Sequence, residues 1–190
     1  MLKDLICKNR SYRRFYQDFP ISMETLREMV NCARLSPSAR NLQPLKYYLS
    51  CTPDTNAKIF PYLAWAAYLT DWEGPQEGER PSAYIIVLGD KNLAQSFGID
   101  HGIAVQSMLL YAVEQGYGGC IIASIQNKDG LRQTLHLPEQ YEILFVLALG
   151  KPKEEVVIET MPASGDYKYW RDEQGVHHVP KRSLDELIIS

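Results

Sequence analysis

Ser36-Pro37-Ser38-Ala39-Arg40-Asn41-Leu42-Gln43-Pro44 is a polar, turn-forming stretch set between a predicted helix and a predicted strand. Prolines near both ends hold the backbone turned or extended. Between them Ser38, Asn41 and Gln43 offer hydrogen-bond donors and acceptors together. A rigid polar loop of this kind can read the edge of a planar heterocycle. It also satisfies the ordinary requirements of a helix exit, because Ser, Pro and Asn favour turns.

Upstream lies Lys8-Asn9-Arg10-Ser11-Tyr12-Arg13-Arg14-Phe15. Arg10, Ser11 and Arg13 bring two forked cations and a hydroxyl close together, which suits a phosphate. The two segments in this order resemble the N-terminal signature of the flavin-dependent nitroreductase family. That pattern runs roughly Arg-Arg-Ser-x-Arg-x-Phe, a helix, then Ser-Pro-Ser-x-x-Asn-x-Gln-Pro-Trp. Two positions depart from it: Asn9 stands where the first arginine is common, with Arg14 as its expected substitute, and Leu45 stands where the tryptophan is common.

The chain has 190 residues, 45% of them hydrophobic and 23% charged, which describes one globular domain over 1–190 with room for a core. A net charge of −3 argues against a dedicated nucleic-acid binder. No N-terminal leader and no membrane-length apolar run is apparent, so a cytoplasmic location is expected. Cys7, Cys32, Cys51 and Cys120 are scattered without a Cys-x-x-Cys pair and read as free thiols. His101, His136 and the pair His177-His178 show no metal-ligand spacing, and no metal is expected.

The pattern predicts a helix over 21–35, with Ser22 as N-cap, an Ile21/Leu26 staple and Pro37 as terminator. A strand at 46–51 and an aromatic-rich helix over 55–69, interrupted early by Pro61, follow, then a loop over 71–81 and a buried strand at 84–88. Residues 99–115 form a helix apolar around most of its circumference, closed by Gly116 as a left-handed cap. Such a helix lies at the centre of the core or is shared with a second subunit. A strand over 120–125, a short helix over 127–135 and a strong strand over 142–149 complete the body. Residues 153–190 are polar and irregular, an arm expected to wrap over its own subunit or a partner. The alternation of elements implies a mixed α and β sandwich around one sheet.

The resemblance adds detail. It implies an α+β fold, a three-layer α/β/α sandwich around a mainly antiparallel sheet, with the arm exchanged between subunits. It implies a homodimer with shared active sites. FMN would be tightly bound, with NAD(P)H as transient hydride donor and an electron-poor acceptor such as a nitroaromatic or quinone. The cofactor would lie among Arg10, Ser11, Arg13, Pro37, Ser38, Ala39, Asn41, Gln43, Ile122, Ala123, Lys181 and Arg182, with the Ala123 backbone as donor near flavin N5. No side-chain acid or base is expected. Tyr62, Trp65, Tyr68 and Trp72 occupy the region of the family's variable substrate wall. No Gly-x-Gly-x-x-Gly run is present for a Rossmann-bound dinucleotide. Same-fold chemistry (reductive dehalogenation, flavin fragmentation) and an RNA- or anion-binding module built on residues 8–14 remain as alternatives.

Overall fold

The computed structural model describes residues 1–189. Helix α1 spans Leu2–Lys8, strand β1 is Phe15–Tyr16, and helix α2 is Met23–Leu35. Ser22 caps α2 by accepting the Thr25 N–H at 3.0 Å, and Ile21 and Leu26 are both buried around that cap. Ser36 leaves the helix in extended conformation, as the following Pro37 requires.

Strand β2, Leu45–Ser50, leads into helix α3, Pro53–Ile59. The long helix expected over 55–69 is corrected here: α3 stops at Ile59, tightens into one 3-10 turn at Phe60–Tyr62, and gives way to irregular chain with Ala66 at φ 39°. Pro61 cannot donate to a continuing helix, so the aromatic residues beyond it lie along a loop.

Strand β3, Ala83–Asp90, is buried along its whole length. Helix α4, Asp100–Glu114, ends on Gly116 at φ 79°. The Tyr117 N–H reaches the Ala112 carbonyl at 2.8 Å and the Gly116 N–H the Val113 carbonyl at 3.0 Å, the paired closure expected of a glycine-capped helix. Strand β4 is Gly118–Ile122, helix α5 Lys128–Thr134 and strand β5 Tyr141–Pro152. Every pairing in the main sheet is antiparallel: β5 lies beside β3, β3 beside β2, and the other edge of β5 carries β4 and then β1.

Alternation along β3 divides the core. Ile85 and Val87 face α2 and α4, where Leu26, Met29, Val105 and Met108 pack on them. Tyr84, Ile86 and Leu88 face the other layer, with Ile59, Leu63 and Leu131. On β5, Phe145 and Leu147 join the first layer while Ile143 joins the second. That parity break sits where the register shifts between Val87 and Leu88, a bulge that leaves Leu144 opposite no residue of β3. The result is the three-layer sandwich expected.

The segment expected to be an irregular arm holds a second sheet. Strands β6 (Val156–Thr160) and β8 (His177–Lys181) run parallel, and β7 (Trp170–Arg171) pairs antiparallel with β8. Helix α6, Leu184–Leu187, follows. The arm expected to be exchanged lies here against the body of its own chain: His177 meets Arg13, Glu154 accepts the Arg14 N–H at 3.1 Å, and the Tyr169 ring lies 5.1 Å from that of Tyr68. No helix of the described residues is long and apolar enough to cross a membrane.

Candidate functional site

Residues 9–14 form a short extended run between α1 and β1. Arg10 donates to the Ile6 carbonyl at 2.9 Å and Tyr12 Oη to the Lys8 carbonyl at 3.0 Å, so both cap the end of α1. Ser11 pairs in parallel with Gly119, and the Tyr12 N–H donates to the Gly119 carbonyl at 3.1 Å. The basic segment is thereby threaded along the start of β4. Gly118 permits this close approach, because a Cβ there would stand 2.5 Å from the Tyr12 ring.

Three expected cations converge. Arg10, Arg13 and Lys181 line one cavity of about 290 Å³ with Ser11, Gln106 and Ile121. No carboxylate of the described residues lines it. Arg10 Nε is buried and has no hydrogen-bond partner among the described residues. A surplus of fixed positive charge with an unpartnered donor is a setting for an anionic group such as a phosphate.

Arg182 is not gathered into this cavity. It lies on the surface 3.6 Å from Glu186 of α6. Arg14, the expected substitute for the arginine missing at Asn9, is committed elsewhere: its guanidinium makes two 2.6 Å bonds to Glu79, whose carboxyl is held down at about 2 by Arg14 and Lys153. Asn9 instead donates to Gln106 Oε1 at 3.3 Å.

A second cavity of about 230 Å³ adjoins the first, with Arg13 and Ile121 in the walls of both. The exposed end of β4 supplies Ala123 and Ser124, and the loop after α3 supplies Trp65 and Ala66. Ile121 and Ile122 both border this second cavity, from opposite faces of β4. Ile122 is buried in the second core layer, whereas Ile121 is 48% exposed and faces the cavities. Of the four aromatics, Trp65 lines this cavity. Tyr62 is structural, with Oη 2.7 Å from Thr134 Oγ1 and its ring against the core. Tyr68 packs on Tyr167 and Tyr169, and Trp72 lies under the Arg171 guanidinium at 4.8 Å.

The 36–44 loop is braced from within. Ser38 Oγ donates to Asp100 Oδ2 at 2.5 Å, and the Ala39 N–H donates to Asp100 Oδ1 at 2.9 Å. Ser38 Oγ also accepts the Gln43 N–H at 2.9 Å. Arg40, Asn41 and Gln43 adopt φ of 53°, 56° and 50°, on either side of a right-handed Leu42, a conformation that Asn tolerates better than most residues. Pro37, Ala39, Asn41 and Gln43 are exposed, while the Ser38 hydroxyl is spent inside the loop. Pro37, Ser38 and Gln43 border a separate cavity of about 220 Å³ with Leu45 and Tyr47, which shares no residue with the Arg10–Lys181 cavity. Leu45 packs against the first core layer.

Two groups were not among the expected site residues. Tyr169 and His177 form a wall of the cationic cavity. His177 is 1% exposed, and its basicity is pushed down to about 4, first by burial and then by Arg13, Arg171 and His178. The available sequence signal was the dipeptide itself: adjacent strand residues face opposite sides, so one of His177 and His178 must point inward. No cluster of His, Cys, Asp and Glu able to hold a metal occurs among the described residues. Cys120 is buried, and burial pushes its thiol up, which disfavours the thiolate.

Comparison with known proteins agrees with this architecture. The model of the nitroreductase family matches residues 6–151. The chain is 26% identical over 192 aligned positions to a Bacillus subtilis (strain 168) protein named "Putative NAD(P)H nitroreductase MhqN", covering 80% of this chain and 88% of the relative. A nitroreductase family protein from Clostridium difficile 630 superposes with a TM-score of 0.67 at 21% identity, covering 100% of this chain and 96% of that one. A nitroreductase-type structure from Exiguobacterium sibiricum 255-15, in complex with FMN, gives 0.66 at 21% identity, covering 80% and 89%. The basic run beside β4, the braced loop before β2 and the matched span from α1 to the end of β5 together make this chain a member of the nitroreductase family.

Proposed function

We propose that the chain is an FMN-dependent NAD(P)H oxidoreductase reducing electron-poor acceptors such as nitroaromatics or quinones. The observation that carries this reading is the carboxylate-free cavity holding Arg10, Arg13 and Lys181 beside the open end of β4. When bound, FMN supplies a two-electron relay from NAD(P)H to the acceptor in a ping-pong cycle.

The protein's own part is binding and orientation. Arg10, Ser11, Arg13 and Lys181 take the phosphate end through charge-assisted hydrogen bonds. The chain edge at Ile121–Ala123 borders the ring, with the Ala123 N–H as the donor that stabilises charge at its reacting edge. Trp65 covers one side and excludes water, and Tyr68 stands further out along the same loop.

In one chain the 36–44 loop and the cationic cavity do not meet. A homodimer resolves this: the loop of a second copy, with Pro37, Ser38, Ala39, Asn41 and Gln43, would close over the cofactor. The internal bracing of Ser38 by Asp100 then serves to present backbone groups, not the serine hydroxyl.

The test is direct. Purified protein should be yellow, release FMN on denaturation, and oxidise NADH or NADPH in the presence of a quinone or nitroaromatic. A protein that takes up no FMN after reconstitution overturns the reading.

A further inference from the structure

Arg13, Arg14 and Arg171 lie where the second sheet meets the body, and two of them have carboxylate partners. Arg14 is paired with Glu79, and Arg171 Nη2 donates to Glu154 Oε2 at 2.8 Å. Each of those charges is locally cancelled. Arg13 differs. Glu154 accepts its backbone N–H, but the guanidinium meets no carboxylate among the described residues. Instead Nη1 donates to the Ser11 carbonyl at 3.2 Å and faces His177 Nε2 at 3.2 Å, while the Tyr169 ring centroid lies 4.8 Å from Cζ. The residue is 9% exposed, and it borders both cavities of the site.

An arginine has no lone pair to offer, so His177 Nε2 must accept, and the ring proton must sit on Nδ1. We infer that His177 is a positioning residue for cofactor binding: its neutral imidazole fixes the direction of the Arg13 guanidinium without cancelling its charge, leaving that charge for the anionic ligand. This rests on the proposal that the cavity holds FMN.

The surroundings favour this role. Arg13, Arg171 and His178 all disfavour a proton on His177, and Glu154 is engaged by Arg171 and the backbone of residues 13 and 14. Tyr169 closes the cage, 5.1 Å from the His177 ring and over the guanidinium. His177 Nδ1 is buried without a partner, so the Arg13 contact is the ring's only polar bond among the described residues. A carboxylate at position 177 would hold Arg13 as well or better, but would neutralise it.

The experiment compares full-length H177Q, H177E and H177F with wild type, reading FMN affinity by flavin fluorescence and folding by circular dichroism. Gln keeps a neutral acceptor, so H177Q should bind FMN within about threefold of wild type. H177E should lose at least about tenfold, the scale of one charge-assisted hydrogen bond, and H177F should fall between. In an R13A background the difference between H177Q and H177E should vanish. Equal FMN affinity for H177Q and H177E in otherwise wild-type protein overturns the inference, as does an undiminished H177E difference in R13A. Nitrogen-15 shifts of the wild-type imidazole supply a second readout that needs no variant and no FMN: Nδ1 protonated at pH 7 supports the assignment, and Nε2 protonated or a charged ring refutes it. Failure of wild-type protein to take up FMN refutes the cofactor proposal alone, and the tautomer then decides this one.

Discussion

Asp100 holds Ser38 from the first turn of α4. One carboxylate oxygen accepts the serine hydroxyl at 2.5 Å and the other accepts the neighbouring Ala39 N–H at 2.9 Å, with Asp100 itself 5% exposed. The central core helix and the turn before β2 are thus joined by a buried carboxylate, each of whose oxygens accepts one hydrogen bond. Asp100→Ala strands the Ala39 N–H and the Ser38 hydroxyl. It should lower unfolding free energy by about 2–3 kcal/mol, with Asp100→Asn recovering part of that. Urea unfolding checks it, and an unchanged midpoint for the alanine variant rejects the brace.

The cations divide into two sets that alanine substitution should separate. Arg10→Ala, Arg13→Ala and Lys181→Ala each remove charge from the carboxylate-free cavity and should weaken FMN binding roughly tenfold or more. Arg182→Ala removes only an exposed partner of Glu186 and should leave FMN affinity within about threefold. Fluorescence titration of the four variants decides the matter. A large loss from Arg182→Ala would move that residue back into the site.

Glu79 carries a pH dependence. Its carboxyl is held down at about 2 by the bidentate Arg14 contact and by Lys153. A folded-state value below the unfolded one contributes stability that is complete above about pH 4.5 and disappears as pH falls toward 2. The contribution is about 3 kcal/mol at neutral pH. Glu79→Gln should therefore destabilise strongly at pH 7 and hardly at all near pH 2. Denaturation curves at both pH values test this, and an equal penalty at each contradicts it.

Gly119→Ala probes the packing of β4 against α4 and β5. Its Cβ would meet Leu109 and Leu149 atoms at 2.8 Å and the Ala148 carbonyl oxygen at 3.0 Å. The side chains belong to the packed core and the oxygen to the backbone of β5, so relief requires strand movement. A loss of about 1–3 kcal/mol is expected. Thermal melts measure it, and a melting point equal to wild type would mean that β5 yields freely.

Local chemistry made much of the body legible. Ser22, Ile21 and Leu26 marked the start of α2, Pro37 its end, and Gly116 the end of α4, because caps act over a few neighbouring residues. Apolar runs located β3 and β5. The helix expected over 55–69 stops short because Pro61 ends the hydrogen-bond ladder, which leaves Trp65 and Tyr68 on a loop. The small strands β6 to β8 escaped notice for another reason: they are two to five residues long and half exposed, so no continuous apolar run announces them.

By itself the sequence determined the caps, the core strands and the two motifs that relate this chain to its family, all being properties of contiguous residues. The tertiary structure decided which members of those motifs meet. Folding brought Lys181 to Arg10 and Arg13, sent Arg182 to Glu186 and Arg14 to Glu79, and turned Ile121 outward and Ile122 inward. It also set neutral His177 against Arg13 across 164 positions of chain. A guanidinium has the same residue letter whether a carboxylate cancels its charge or an imidazole leaves it intact, and only the packing of the second sheet on the first distinguishes the two.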